Sequence, residues 1–232
     1  MKKKLFLLDA FALIYRAYFA FSKNPRINSK GLNTSAIMGF ANTLMEVLEK
    51  QKPDYISVVF DSSGPTFRHD MYSEYKANRE EMPEDIRKAV PIIKQLIDEF
   101  NIHRVEMPGY EADDLIGTLA HKAVSENLEV YMMTPDKDYA QLVKEGVYMF
   151  RPGRGGNGPE TWGIEEVKAK FEVENCLQVI DILGLWGDAA DNIPGIPGIG
   201  EKTSKILIEK YGSVEGLIEH AEELKGKQKE NV

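Results

Sequence analysis

The chain has 232 residues, of which 43% are hydrophobic and 28% are charged; this fits a soluble globular protein and excludes a disordered or fibrous chain. The single cysteine, Cys176, cannot form an internal disulfide, so a reducing, intracellular compartment is expected. No stretch of about 18 uncharged apolar residues occurs, so we expect neither a membrane span nor a membrane partner. The net charge of -8 argues against a generic nucleic-acid binder, since such proteins are usually basic.

Three short apolar runs predict strands that are buried on both faces of a sheet. They are residues 4–8, 55–60 and 130–133, and each is followed by an aspartate: Asp9, Asp61 and, after Thr134-Pro135, Asp136. Apolar residues recur at helical spacing over 35–50, 83–100 and 113–124, with a kink expected at Pro91. The alternation predicts an α/β fold with a mostly parallel sheet flanked by helices.

The pattern changes near residue 160. A glycine-rich turn is predicted over 153–159, and from 163 to 221 the sequence reads as helical, with no convincing strand. The polar tail over 222–232 is expected to fray. We therefore predict an α/β domain over 1–162 and a small helical domain over 163–232.

Acidic residues are concentrated where predicted strands end and helices begin. Ligands of an open α/β sheet bind at the carboxyl ends of its strands, so we expect these side chains to converge. Each one alone is also explained by a turn, a helix cap or the helix dipole. Crowded carboxylates raise each other's pKa, and Mg²⁺ or Mn²⁺ relieves that repulsion. The candidate metal ligands are Asp9, Asp61, Glu111, Asp113, Asp114, Asp136, Asp138, Asp188 and Asp191.

This concentration of acids changes the meaning of the net charge. Without the nine candidate ligands, 28 of the 37 acids remain against 29 bases, so the rest of the chain is nearly neutral. Bound cations would reverse the local sign at the site, and a polyanionic substrate is then compatible with the composition.

The acidic motifs occur in an order that resembles the 5′-nuclease (flap endonuclease) family, most closely the 5′→3′ exonuclease domains joined to bacterial DNA polymerases. The resemblance covers nearly the whole chain, and its most distinctive runs are Tyr-Glu-Ala-Asp-Asp and Gly-Asp-x-x-Asp-Asn-x-Pro-Gly. The five matching runs are residues 7–9, 58–61, 108–114, 134–138 and 187–195.

The resemblance implies a PIN-like nuclease core that uses two Mg²⁺ or Mn²⁺ ions, a mechanism suited to phosphodiester hydrolysis. One ion would be held mainly by Asp9, Asp61, Glu111, Asp113 and Asp136, of which Asp9 and Asp113 are also expected to be catalytic. The second would be held mainly by Asp138, Asp188 and Asp191, with Asp114 supporting either ion.

Residues 67–79 combine bases and aromatics without a long apolar stripe. Composition alone favours an exposed connector. The resemblance implies instead the family's helical gateway and arch, where Lys76 and Arg79 contact the scissile phosphate and Lys76 stabilises its developing charge. Tyr75 would stack a base, and Arg68 is a further candidate DNA contact.

A loop rich in glycine and proline, residues 193–200, precedes a helix predicted over 201–211. Its backbone N–H groups could bind phosphate, and a tight connection between two helices explains the loop equally well. A P-loop is rejected because Glu201 is inserted before Lys202 and no strand precedes the loop. The resemblance implies a helix–three-turn–helix (helix-hairpin-helix-like) motif that grips duplex DNA backbone, with K⁺ bound by loop carbonyls. Its candidate DNA contacts are Gly198, Gly200, Lys202, Thr203, Ser204 and Lys205.

The predicted function is a structure-specific 5′ nuclease of DNA replication and repair, acting on duplex DNA with a 5′ flap, a nick or an RNA-primed end. Two alternatives stay open: a PIN-type ribonuclease of single-stranded RNA, and a non-catalytic module that binds DNA junctions. The resemblance also implies a cytoplasmic, nucleoid-associated, bacterial-type protein. It further implies a helical domain that continues beyond residue 232 and a covalently linked polymerase domain.

Overall fold

The computed structural model describes residues 2–153 and 157–232, which form two compact units. The first unit comprises Met1–Thr66, Glu81–Asp136 and Gly146–Thr161, and the second comprises Phe67–Glu80, Lys137–Glu145 and Trp162–Val232. The domain boundary after residue 162 stays a prediction, and two earlier segments group with the C-terminal part of the chain. The predicted turn over 153–159 lies partly outside the described residues.

The strands are β1 (Lys4–Asp9), β2 (Tyr55–Val59), β3 (His103–Val105), β4 (Glu129–Met133), β5 (Val147–Arg151), β6 (Glu160–Trp162), β7 (Gly187–Asp188) and β8 (Ile193–Pro194). The α-helices are α1 (Ala10–Ala20), α2 (Ser35–Glu46), α3 (Phe67–Met71), α4 (Glu84–Glu99), α5 (Ala112–Ser125), α6 (Ile164–Phe171), α7 (Gln178–Trp186), α8 (Glu201–Tyr211), α9 (Val214–Glu219) and α10 (Lys227–Asn231). A π-helical segment, Val47–Gln51, extends α2, and 3₁₀ turns cover Lys137–Leu142 and Ala221–Glu223.

The first unit is built on a six-stranded sheet with the order β3-β2-β1-β4-β5-β6. Neighbouring strands from β3 to β5 are parallel, which confirms the predicted parallel sheet. The three strands predicted from sequence, β1, β2 and β4, are adjacent, with β1 in the middle. Their carboxyl ends therefore lie side by side at one edge.

Apolar faces of strands and helices form the core of this unit. Phe6, Leu8 and Val58 from the strands are buried with Ile86 and Ile93, which belong to the apolar stripe of α4. α4 continues through Pro91. Helices α1 and α2 approach closely because α2 carries a glycine at the crossing: a Cβ on Gly39 would lie 2.7 Å from Cβ of Ala17.

Several elements differ from the sequence prediction. Helix α1 was not predicted because Ala10–Ala20 is apolar on most sides, so its buried face (Ala10, Leu13, Ile14 and Ala17) does not stand out in the sequence. The short strands β3, β5 and β6 were also missed. The region after residue 160 contains β7 and β8 as well as helices, and the tail expected to fray forms a 3₁₀ turn and α10.

In the second unit, α7 and α8 pack together, and the chain between them contains the antiparallel β7–β8 pair. Gly187 has a φ of +78°, and a Cβ on either Gly187 or Gly195 would collide with the backbone opposite. This close approach explains both glycines of the Gly-Asp-x-x-Asp-Asn-x-Pro-Gly run. None of the helices seen over 2–153 and 157–232 has the length and apolar character to cross a bilayer.

Candidate active site

Aspartates follow the carboxyl ends of the three central strands in the first unit. Asp9 is the last residue of β1 and pairs in register with Val59 of β2, two residues before Asp61. On the other side of β1, Leu8 pairs with Met133 at the end of β4, three residues before Asp136. The parallel register brings these three acids to one edge of the sheet, as the sequence predicts.

Asp9 is buried at this edge, with 7% of its surface exposed. Its Oδ1 accepts a hydrogen bond from Ala12 N (3.2 Å), which caps α1, and its Oδ2 accepts one from Thr134 Oγ1 (3.0 Å). The pKa of Asp9 is raised to about 7, chiefly by burial and to a lesser extent by the charges of Asp61 and Asp136, while the hydrogen bonds from Ala12 and Thr134 act in the opposite direction. The principal charged groups acting on this carboxylate are thus acids.

The start of α5 gathers the other acids of this unit. Glu111 is buried at the N-cap and its Oε1 accepts a hydrogen bond from Thr66 Oγ1 (3.3 Å). Asp61 Oδ1 accepts from Ala112 N (3.0 Å), and Asp113 Oδ1 accepts from Asp114 N (2.8 Å). Asp114 Oδ2 accepts from Glu111 N (3.0 Å), which completes a capping box. The helix-capping interpretation is therefore realised at Asp114, and the helix dipole favours the whole group.

The donor chemistry at the sheet edge suits a hard divalent cation. A buried carboxylate with acidic neighbours and a raised pKa gains from a cation, and all the ligands offered are oxygens. Within the described residues, however, no three Asp, Glu, His or Cys side chains are arranged to hold a metal ion. Six of the nine predicted ligands belong to the first unit and three to the second.

In the second unit, two of the remaining predicted ligands share a lysine. Lys137 Nζ lies 3.0 Å from Asp138 Oδ1 and 3.7 Å from Asp188 Oδ2. The same ammonium stands 5.2 Å from the ring centre of Trp186. Asp188 Oδ1 also accepts a hydrogen bond from Ala190 N (2.8 Å). An internal cation thus compensates both carboxylates, in contrast to Asp9.

Asp191, the third predicted metal ligand in the second unit, pairs with both bases predicted to contact the scissile phosphate. Its Oδ1 pairs with Arg79 Nη2, and its Oδ2 lies 3.8 Å from Lys76 Nζ. Tyr75 Oη donates to Asp191 Oδ2 (3.0 Å). Tyr75 is only 4% exposed, which contradicts its predicted stacking on a base, because the ring is already packed inside the unit. Arg68 belongs to α3 and its guanidinium covers the Phe67 ring.

The loop before α8 presents only part of the predicted DNA-binding set. Gly198, with a φ of +82°, Gly200 and Lys202 are exposed, and Thr203 is half-buried. Ser204 and Lys205 are buried, which contradicts a direct DNA contact. The remaining polar contacts of these two are internal: Ser204 Oγ donates to Glu201 O, and Lys205 Nζ donates to Lys170 O and pairs with Glu172 and Glu201.

Sequence reasoning missed two residues that shape these clusters. Thr134 is fully buried, donates to Asp9, and accepts a hydrogen bond from Asp136 N (3.1 Å). Lys137 compensates Asp138 and Asp188. Both lie inside the Thr-Pro-Asp-Lys-Asp run, and a hydroxyl and a base placed among acids were the available signals.

Two family models cover the chain. One, described as the 5′-3′ exonuclease N-terminal resolvase-like domain, matches residues 4–172, and one described as the 5′-3′ exonuclease C-terminal SAM fold matches residues 175–232. Together with the parallel sheet and the helical second unit, these matches confirm the predicted fold class.

The chain matches similar proteins over nearly its whole length, but it spans very different shares of those proteins. DNA polymerase I of Bacillus subtilis is 42% identical over 98% of this chain, which spans only 26% of that protein. A 5′-3′ exonuclease of Aquifex aeolicus is 40% identical over 95% of this chain and 74% of its own length. Among solved structures, the bacteriophage T5 D15 flap endonuclease, in complex with DNA and metal ions, matches with a TM-score of 0.78 at 21% identity, covering 99% of this chain and 83% of that one. That last match shows a shared fold.

Proposed function

Since this chain belongs to the 5′-3′ exonuclease family, we propose that it is a structure-specific 5′ nuclease that hydrolyses DNA phosphodiesters at 5′ ends, flaps or primer junctions. The exonuclease name of the Aquifex relative and the DNA complex of the T5 flap endonuclease support this substrate class. The activity would serve DNA replication and repair in the cytoplasm, at the nucleoid. The Bacillus relative supports a covalently linked polymerase domain in the full-length protein.

The observation that carries the proposal is the buried carboxylate of Asp9 at the ends of parallel strands. A buried acid with acidic neighbours and a pKa raised to about 7 costs folding free energy. Such perturbed acids are typical of functional sites, so a role in catalysis accounts for this cost. Capping of α1 accounts for one of its oxygens, and an exposed aspartate would cap as well.

We assign the metal ligands by unit. Asp9, Asp61, Glu111, Asp113 and Asp136 would hold one divalent cation, Mg²⁺ or Mn²⁺, with Asp114 in support, and Asp138, Asp188 and Asp191 would hold a second. When bound, such cations activate a water for attack and neutralise charge on the leaving oxygen. Thr134 fixes the orientation of Asp9 through its hydroxyl, and the backbone of α5 fixes Asp61.

The bases of the second unit would act on the substrate. Lys76 and Arg79 bind the scissile phosphate, where Lys76 stabilises the charge that develops on its oxygens. Gly198, Gly200, Lys202 and Thr203 contact the backbone of the duplex, with K⁺ bound by the carbonyls of that loop. Such contacts recognise DNA independently of sequence.

The test is a substrate panel incubated with the chain and Mg²⁺. It contains a 5′-labelled flap duplex, a nicked duplex, a blunt duplex and a single-stranded RNA. We expect cleavage of the flap and nicked duplexes with a 5′-phosphate on the product, and none in EDTA. Preferred turnover of the RNA would favour a PIN-type ribonuclease, and tight junction binding without any cleavage would indicate a binding module.

A further inference from the structure

Two stretches of the second unit that are far apart in sequence are fastened together. Lys76 N donates to Asp191 O (2.9 Å), and Asn78 Nδ2 donates to Ala189 O (2.8 Å). In the opposite direction, Asn192 Nδ2 donates to Glu74 O (2.7 Å). We call residues 74–79 and 189–192, with these contacts, the clasp. None of these three bonds uses the side chains of Asp191, Lys76 or Arg79, so they hold the two stretches in register independently of those side chains.

Within the clasp, one carboxylate forms ion pairs with both bases that are proposed to bind phosphate. Asp191 accepts from Tyr75 Oη and pairs with Lys76 and Arg79. The side chains of Asp191 and Lys76 are 19% and 17% exposed, so this pairing is partly shielded from water, whereas Arg79 is 53% exposed. A carboxylate and a phosphate present similar pairs of anionic oxygens to a guanidinium and an ammonium.

We propose that Asp191 is a positioning residue that occupies the phosphate subsite of Lys76 and Arg79, and that a DNA phosphate displaces its carboxylate. This inference rests on the proposed function. In the DNA-free chain, Asp191 holds both bases in place and offsets part of their charge. When a phosphate takes the two bases, the carboxylate of Asp191 is released with its charge uncompensated.

The exchange couples DNA binding to cation binding in this unit. A released carboxylate attracts a divalent cation, and a cation that draws Asp191 away leaves Lys76 and Arg79 for phosphate. Because linkage is reciprocal, DNA and the cation strengthen each other's binding by the same factor. Asp188 does not compete with phosphate for Lys76 and Arg79 in this exchange, since its base is Lys137.

The experiment measures binding of a fluorescent 5′-flap duplex by anisotropy in EDTA, where no cleavage occurs, for the wild-type chain, Asp191→Asn and Asp70→Asn. Asp70 is an exposed acid of the same unit, so both variants make the same chemical change and remove one negative charge. Asp191→Asn removes the competitor for Lys76 and Arg79, so we expect binding about tenfold tighter than wild type. For Asp70→Asn we expect a change within about threefold, from net charge alone.

Ca²⁺, which replaces EDTA in a second titration, tests the coupling. Flap binding by the wild type should tighten as Ca²⁺ rises, and this gain should be largely lost in Asp191→Asn. In a Lys76→Met, Arg79→Gln background, Asp191→Asn should no longer tighten binding in EDTA. Asp191→Ser serves as a second replacement, and thermal melting checks that each variant is folded.

Equal affinities of Asp191→Asn and Asp70→Asn in EDTA would overturn the exchange, as would an Asp191 effect that persists without the two bases. Cleavage of the flap by the wild type in Mg²⁺, measured in parallel, separates this failure from that of the proposed nuclease. If the flap is cleaved but the two variants bind alike, only the exchange is wrong. If the flap is not cleaved, the nuclease proposal is wrong and the anisotropy still decides on the exchange.

Discussion

At the scale of single residues, the acids of the two units differ in how their charge is compensated. Asp9 is buried beside other acids, whereas Asp138, Asp188 and Asp191 each pair with a lysine or an arginine. Burial beside like charges costs folding free energy, and pairing with a base does not. The contrast gives separate predictions for the two kinds of acid.

For Asp9 we predict a pH-dependent cost to stability in EDTA. Between the unfolded value of 3.8 and the folded value of about 7, the folded chain holds a proton that the unfolded chain has released. This carboxyl is therefore least costly below pH 4, and its cost grows to about 4 kcal/mol as the pH rises to 7. Asp9→Asn should remove this pH-dependent loss of stability. In urea unfolding, the free energy of unfolding of the variant should therefore increase relative to that of the wild type from pH 4.5 to 8. Wild-type and variant curves that stay parallel over this range would contradict the assignment.

For Lys137 we predict that the lysine competes with a divalent cation. Its ammonium lies 3.0 Å from Asp138 and 3.7 Å from Asp188, so Lys137→Gln removes the positive charge that compensates two carboxylates proposed to bind a cation. We expect Mn²⁺, followed by its electron paramagnetic resonance signal, to bind the variant at least about fivefold more tightly. The exposed Lys227→Gln is the control, and equal tightening in both variants would point to net charge alone.

The sequence could predict which acids matter and could not predict what each would contact. Asp9 and Asp61 follow apolar runs, and the parallel-strand rule places them together. The partner of Asp191 is Arg79, 112 residues earlier, and no local pattern encodes that approach. The same holds for Tyr75, whose aromatic ring suggested base stacking and which the fold buries.

At the scale of secondary-structure elements, two glycines inside helices, one at a helix crossing and one not, test the packing of the helices. Gly39→Ala should destabilise the chain by about 1–3 kcal/mol, because its methyl group would overlap Ala17, which has no side-chain freedom to move away. Gly184 also lies inside a helix, and a Cβ there would meet nothing within 4 Å. Gly184→Ala should therefore stabilise the chain by about 0.5–1 kcal/mol through helix propensity. Urea unfolding of both variants measures the pair, and a stabilising Gly39→Ala would refute the close crossing of α1 and α2.

The sequence predicted the helices that bury one clear apolar face and the strands that are buried on both faces, where these elements have an ordinary length. α4 has a clear apolar stripe, and β1, β2 and β4 each contain a run of mostly apolar residues. α1 was missed because Ala, Phe, Tyr and Leu surround the helix on nearly every side. β3 and β6 have three residues each, too few to show an alternation. Their strand conformation depends on the neighbouring strand more than on their own residues.

At the scale of the whole molecule, the net charge of -8 is reconciled with a nucleic-acid substrate by where the acids lie. Asp9 and its acidic neighbours are confined to one sheet edge in the first unit, and the bases proposed to bind phosphate belong to the second. The chain spans about a quarter of its Bacillus polymerase relative.

The most direct test of the account is single-turnover cleavage of a 5′-labelled flap duplex in Mg²⁺ by the wild type, Asp9→Asn and Glu49→Gln. Glu49 is an exposed acid of the same unit, so Glu49→Gln controls for the loss of one charge. We expect wild-type cleavage, an unchanged rate for Glu49→Gln, and a loss of about a hundredfold or more for Asp9→Asn. A folded Asp9→Asn that cleaves the flap at the wild-type rate would contradict the claim that cleavage depends on the buried carboxylate at the strand ends.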